Sequence, residues 1–130
     1  TDKAYNVTTD LINSGTEFNY IFANNDMMAQ GCYNALKDAG KENIPIVSTG
    51  GSPDGFKMLQ DGIEAANMTA PVSIQGVKTF MNLYNKVALG EDPAEKFTAL
   101  PVIPVSADDT SSYIAWDDYA AAYKYLGENK

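Results

Sequence analysis

The stretch IPIVSTGGSPDG, residues 44–55, joins a short apolar run to a cluster of turn-forming residues. The run Ile44–Ser48 has the length and β-branched character of a buried parallel strand. Ser48–Gly55 then supplies the small residues of a tight strand-to-helix turn. Pro53 suits the first turn of a helix, where its missing N–H is not needed. That helix runs through Phe56, Met58 and Leu59 and stops at Gly62. The same loop admits a second reading, a glycine-lined phosphate cradle at a helix N-terminus. It lacks the lysine of a P-loop and the GxGxxG spacing of a dinucleotide fold, so the turn is the simpler reading.

Working outward, the pattern repeats. Ala4, Val7, Leu11 and Ile12 have helical spacing, and Gly15 closes that helix. Phe18–Ala23 is aromatic and β-branched and predicts a strand. Asn25 or Asp26 can cap the next helix, through Met28, Ala29, Cys32, Ala35 and Leu36 to Gly40. Ile63–Ala70 predicts a third strand. Pro71 opens the longest predicted helix, Val72 to about Ala88, with Val77, Phe80, Met81, Tyr84 and Val87 on one side. ALPVIPVS carries two prolines, which suit an edge or hinge strand, and DDYAAAYKYLG predicts a last helix. Alternating strands and helices indicate βαβ units: an α/β fold with a parallel sheet flanked by helices. Ligands in such sheets bind beyond the carboxyl ends of the strands. The loops there are NND, STGGSPDG and TAPVS.

Composition narrows the chemistry. The 130 residues carry a formal net charge of −8, which disfavours nucleic acid and anionic membrane surfaces. There is no histidine, the commonest general base and transition-metal ligand. The single Cys32 has no partner for an internal disulfide and is expected to pack as a small apolar group. Asp108, Asp109, Asp117 and Asp118 lack the glycine and terminal glutamate of an EF-hand loop, and are expected in a solvated turn and a helix cap. Tyr119 and Tyr123 are expected to pack rather than to stack on a ligand. No cofactor or metal is implied. Asn25 offers an acceptor and two donors on a short stem, which suits a ligand hydroxyl as well as a helix cap.

The segment from Tyr20 to Gly76, with FANNDMMAQG, ALKDAGK, the SPDG turn and a GxxAA run in order, resembles the C-terminal lobe of type I periplasmic sugar-binding proteins. These are ribose- and galactose-like solute receptors of ABC importers, and the same fold forms the effector domain of LacI-type repressors. The resemblance covers Tyr5 to about Gly90. It implies a partial lobe of a Rossmann-like fold over residues 1–97, and a hinge-crossing strand with a C-terminal helix over 98–130. It implies a two-lobed trap that binds a sugar or sugar-like molecule without catalysis. It further implies ABC permease subunits as partners and an extracytoplasmic location, in the periplasm or as a surface lipoprotein.

Residue by residue, Asn25 matches the family's ligand-contacting asparagine. Thr49 and Gly50 fall where ribose- and galactose-type members carry an aspartate that accepts from sugar hydroxyls. Ala70 falls where those members often carry a glutamine. With these two grips absent, Asn24, Thr49, Asn67 and Thr69 remain as candidate contacts, and an unreplaced charged acceptor costs roughly 1.5–3 kcal/mol. A full receptor is more than twice as long, so the chain is expected to be a fragment. Its proline-bearing edge strand is expected to pair with another copy, by dimerisation or a tail swap. Rival readings are a LacI-type regulator's effector domain, a sensor domain feeding a kinase, and an enzyme.

Overall fold

The computed structural model describes residues 1–93, 95 and 97–128. Helix α1 (Asp2–Asn13) leads to strand β1 (Ile21–Phe22), then helix α2 (Asp26–Asp38) and strand β2 (Ile46–Gly50). Helix α3 (Pro53–Gln60), strand β3 (Glu64–Thr69) and helix α4 (Val72–Tyr84) follow. Strand β4 (Ile103–Ser106) and helix α5 (Tyr119–Glu128) complete the chain. The sheet order is β1-β2-β3-β4. The first three strands are parallel, while β4 runs antiparallel to β3. The sheet is therefore mixed rather than wholly parallel, and the proline-bearing strand lies at its edge, as its composition requires.

Several boundaries move for identifiable reasons. The strand expected over Phe18–Ala23 shrinks to two residues, because β1 pairs only with β2, through Ile21 N to Pro45 O and Ala23 N to Val47 O. The strand expected over Ile44–Ser48 lies over Ile46–Gly50 instead, so Thr49 and Gly50 belong to the ladder. There they pair with Met68 and Thr69. Helix α4 ends in a wider π-type turn, Asn85–Leu89, closed by Gly90 at φ 73°. Its expected apolar side is only partly used. Ile74 is buried and Val77 half-buried, whereas Phe80, Tyr84 and Val87 face outward. The sequence holds two apolar rows on this helix, and Ile74 and Val77 are the residues that join the cluster with β4 and α5.

The core has two clusters. Ala4, Ala23, Ala29, Cys32, Leu36, Ile46 and Met58 form one under α1 and α2, with Cys32 packed as expected. Leu59, Ile74, Ile103, Val105 and Ala122 form the other, where α4 and α5 meet β4. Phe56 and Tyr113 stack at 3.8 Å beside the second cluster. Tyr119 and Tyr123, expected to pack, are mostly exposed instead. Asp109 receives Ser111 N in a turn and Asp118 receives Ala121 N at the start of α5, so the acidic tail serves as turn and cap.

One irregularity in the sheet positions polar groups. Ile46 pairs with Glu64 but Val47 pairs with Ala66, so β3 carries an extra residue at Ala65. The shift turns Glu64 and Asn67, three apart in sequence, to the same buried side.

Candidate binding site

The carboxyl ends of β1, β2 and β3 form one rim, tied together by short hydrogen bonds. Thr49 Oγ1 donates to Asn24 O at 2.9 Å, and Ala70 N donates to Gly50 O at 3.0 Å. Tyr113 OH donates to Gly51 O at 3.1 Å from the segment after β4. Loops far apart in sequence thus hold one another through bonds to main-chain carbonyl oxygens.

Each candidate residue has a definite place. Asn25 is the N-cap of α2 in an extended conformation, and its Oδ1 accepts from Met28 N at 2.9 Å. The cap uses its acceptor and leaves the amide donors outward. Asn24 and Asn25 are exposed; Thr49, Gly50 and Ala70 are half-buried on the same rim. Thr69 is fully buried, and its hydroxyl donates to Ile103 O at 2.8 Å, tying β3 to β4. Asn67 is buried beneath the rim. An apolar groove of about 570 Å³ runs between α1 and the open side of β1, lined by Val7, Leu11, Phe18, Phe22 and Met28. It reaches Asn24 but lies beside the rim rather than in it.

Beneath the rim lies a polar cluster that sequence reasoning missed. Asp26 opens α2 but turns inward and is 6% exposed. Ser52 N donates to its Oδ2 at 2.7 Å, and Asn67 Nδ2 donates to its Oδ1 at 2.7 Å. Asn67 Nδ2 also lies 2.9 Å from Glu64 Oε2, and Ser48 Oγ lies 2.9 Å from Glu64 Oε1 and 3.2 Å from Asp26 Oδ1. Two carboxylates therefore share two side-chain donors. The signal was present as polar residues, Ser48, Glu64 and Asn67, inside otherwise buried strands. What hid it was the extra residue at Ala65, which breaks the alternation that would have aligned them.

The cluster also shapes the rim. Gly50 has φ 131°, and a Cβ there would stand 2.9 Å from Asp26 Oδ2. A Cβ at Gly55 would run into the Asp26 carboxyl carbon. Asp26 thus fills the space that side chains at 50 or 55 would need. The absence of an acidic grip at Gly50 is built into the backbone as well as the sequence.

Burial pushes the Glu64 carboxyl up to about 7; hydrogen bonds from Asn67 and Ser48 pull it down, and the Asp26 charge pushes it up. Burial, then the charges of Asp26 and Asp117, raises the Tyr113 phenol.

Two outcomes follow from this geometry. The unfolded chain releases the Glu64 proton near its ordinary value of 4.5, whereas the folded chain holds it to about 7. The Glu64 contribution to stability is therefore full below that window and lost as pH rises through it. Glu64→Gln keeps the neutral shape, so melts at pH 5 and pH 8 should show wild type losing roughly 3–8 °C relative to the variant. Parallel losses would remove Glu64 as the cause. Gly50→Asp should lower the melting temperature, because the left-handed backbone and the Asp26 contact together cost about 1–3 kcal/mol. An unchanged melting temperature would show that the loop has room for a side chain.

Comparison with known proteins places this architecture. The model of the periplasmic binding protein domain family matches residues 1–92. The ribose import binding protein RbsB of Escherichia coli K12 is 35% identical over 98 residues, 73% of this chain and 32% of that protein. The D-allose-binding periplasmic protein of the same organism is 36% identical over 72 residues, 55% of this chain and 22% of that protein. An ABC transporter solute binding protein from Agrobacterium vitis with bound D-fucose superposes with a TM-score of 0.69 at 26% identity, covering 84% of this chain and 37% of that one. The chain spans about a third of the length of its ribose-binding relative. These relatives are binding proteins rather than enzymes. The matched domain, the order of the three rim loops and the strand topology make this chain a member of the periplasmic binding protein domain family.

Proposed function

We propose that the rim is one wall of a ligand cleft in an extracytoplasmic solute receptor, which binds a sugar or sugar-like molecule and delivers it to ABC permease subunits. The observation that carries this reading is the convergence of Asn24, Asn25, Thr49, Gly50 and Ala70 at the carboxyl ends of three parallel strands, the position that such sheets use for ligands. The relatives named above bind ribose, allose and fucose, which supports a polyhydroxylated ligand. No catalytic step is required of the chain.

The chemistry of this wall refines the ligand. Asn25 spends its oxygen on Met28 N and presents donors. Gly50 O and Gly51 O are occupied by Ala70 N and Tyr113 OH. Thr69 is committed to Ile103 O, and Asn67 to the buried carboxylates. This wall therefore offers the Asn25 amide donors and is poor in charged acceptors. It suits a ligand that offers oxygen lone pairs here, with its own hydroxyl hydrogens satisfied by the facing lobe. The mature receptor works in the periplasm or as a surface lipoprotein.

Asn25→Ser separates the two duties of this residue, because serine caps helices nearly as well as asparagine. In the intact receptor, screened by calorimetry against aldopentoses, hexoses and polyols, Asn25→Ser should weaken binding about tenfold, the effect of roughly 1.4 kcal/mol. Its melting temperature should barely move. Unchanged affinity would take Asn25 out of the site.

The open side of β4 is further proposed to pair between copies when residues 1–130 are isolated, by dimerisation or exchange of the tail. Sedimentation should then show a dimer that grows with concentration, and a monomer at all concentrations would exclude it.

A further inference from the structure

We propose that Glu64 holds a proton in the folded protein and acts with Asp26 as a positioning pair for the rim, so that loss of this proton loosens the Gly50–Ser52 loop and weakens ligand binding. The consequence for the ligand rests on the function proposed above; the proton and the loop do not.

A count of hydrogens carries the inference. Ser48 has one hydroxyl hydrogen, yet its oxygen lies within hydrogen-bond distance of both Asp26 Oδ1 and Glu64 Oε1. Asn67 Nδ2 has two hydrogens and three acceptors within 2.9 Å: Asp26 Oδ1, Ser48 Oγ and Glu64 Oε2. Asn67 Oδ1 is itself buried without a donor among the described residues. The cluster is short of hydrogens and has acceptors to spare. One added proton on Glu64 Oε1 raises the hydrogens from three to four for these five contacts, leaving only Asn67 Nδ2–Ser48 Oγ without one of its own. Glu64 then donates to Ser48 Oγ, Ser48 donates to Asp26 Oδ1, and Asn67 bridges Asp26 Oδ1 and Glu64 Oε2. Asp26 keeps its charge and its bond from Ser52 N.

Among the described residues neither carboxylate has an ion-pair partner. The surrounding elements present mostly acidic or neutral groups. Helix α3 and its C-cap place Asp54, Lys57 and Asp61 along a groove beside Asp26, shared with Thr1, and Lys57 is already paired with Asp61 at 2.8 Å. Strand β2 contributes only Ser48. The segment after β4 brings the Tyr113 phenol, bonded to Gly51 O, with the charge of Asp117 behind it. When Glu64 ionises, the two carboxylates compete for Ser48 and Asn67 with nothing positive between them. The exit for Asp26 is toward the side held by Ser52 N, where the backbone at Gly50 and Gly55 stands so close that neither position has room for a Cβ. Its displacement moves the rim.

Selective labelling of glycine and serine amides in the intact protein tests this by NMR between pH 5 and pH 9. The Ser52 and Gly51 amides should titrate together with a midpoint near neutrality. The Glu64 side-chain carboxyl carbon should move over the same range in wild type, a readout that needs no variant. Glu64→Gln should abolish the amide titration. A purely structural role for the pair would leave these amides flat. Flat amides, an unchanged titration in Glu64→Gln, or a Glu64 carboxyl that titrates near 4.5 would each overturn the proposal. Ligand affinity, measured across the same range, should fall at least threefold above the midpoint in wild type and stay constant in Glu64→Gln. Titrating amides in a protein that binds none of the sugars screened would sink the sugar-receptor reading and leave the Glu64 proton standing.

Discussion

The bond from Ser52 N to the buried Asp26 carboxylate is the contact on which the rim depends. It joins the first residue of α2 to the residue that caps α3, and so fixes the β1 and β2 loops relative to each other. Ser52 is held on both sides, since its own hydroxyl receives Gly55 N at 3.1 Å. A carboxylate that accepts from a backbone amide at a helix start also gains from the partial positive charge there. Asp26 therefore sits where two helix N-termini meet. That explains how a buried charge persists in a fold with so little positive charge nearby.

The glycines of this region acquire their meaning from that carboxylate. Gly50 and Gly55 are spaced five apart, and each would press a Cβ into Asp26. As a pair they describe a mould around one side chain. The SPDG turn is thus a packing device as well as a chain reversal. A loop so moulded can vary in sequence at exposed positions such as Pro53 and Asp54 while its contact with α2 stays fixed. The same mould decides what the cleft can present. Backbone stands where an acidic grip would stand, and the backbone oxygens at Gly50 and Gly51 are already taken.

Much of the fold was legible because its local signals agree. The Asn25 cap, Pro53 at the start of α3 and Gly62 after it mark helix boundaries through backbone chemistry that needs no tertiary context. The rim was legible for the same reason, as the ends of three short apolar runs. What stayed hidden depends on contacts between elements. Asp26 and Asn25 are equivalent as caps in sequence; only the closeness of Ser48 and Asn67 draws Asp26 inward. Glu64 carries no signal of its own within the strand expected over Ile63–Ala70, and the extra residue at Ala65 turns it into the core. The two apolar rows of α4 could not be ranked without knowing that β4 and α5 would pack on one of them.

The buried pair also bears on why a binding wall would carry such a cluster at all. An apolar core at Ser48, Glu64 and Asn67 would pack as well and would avoid the cost of desolvating two acids. Apolar side chains, however, have no directional claim on the loop above them. Asp26 does, through a 2.7 Å bond to one particular amide. Charge-assisted bonds of that kind fix geometry more narrowly than dispersion contacts. A cleft wall whose rim is mainly backbone has few side chains to correct its shape, so its loops must already be placed before ligand arrives. The polar cluster gives up some stability at neutral pH in exchange for that placement. Its cost stays moderate because one of the two acids can remain neutral, and because Asn67 and Ser48 answer to both.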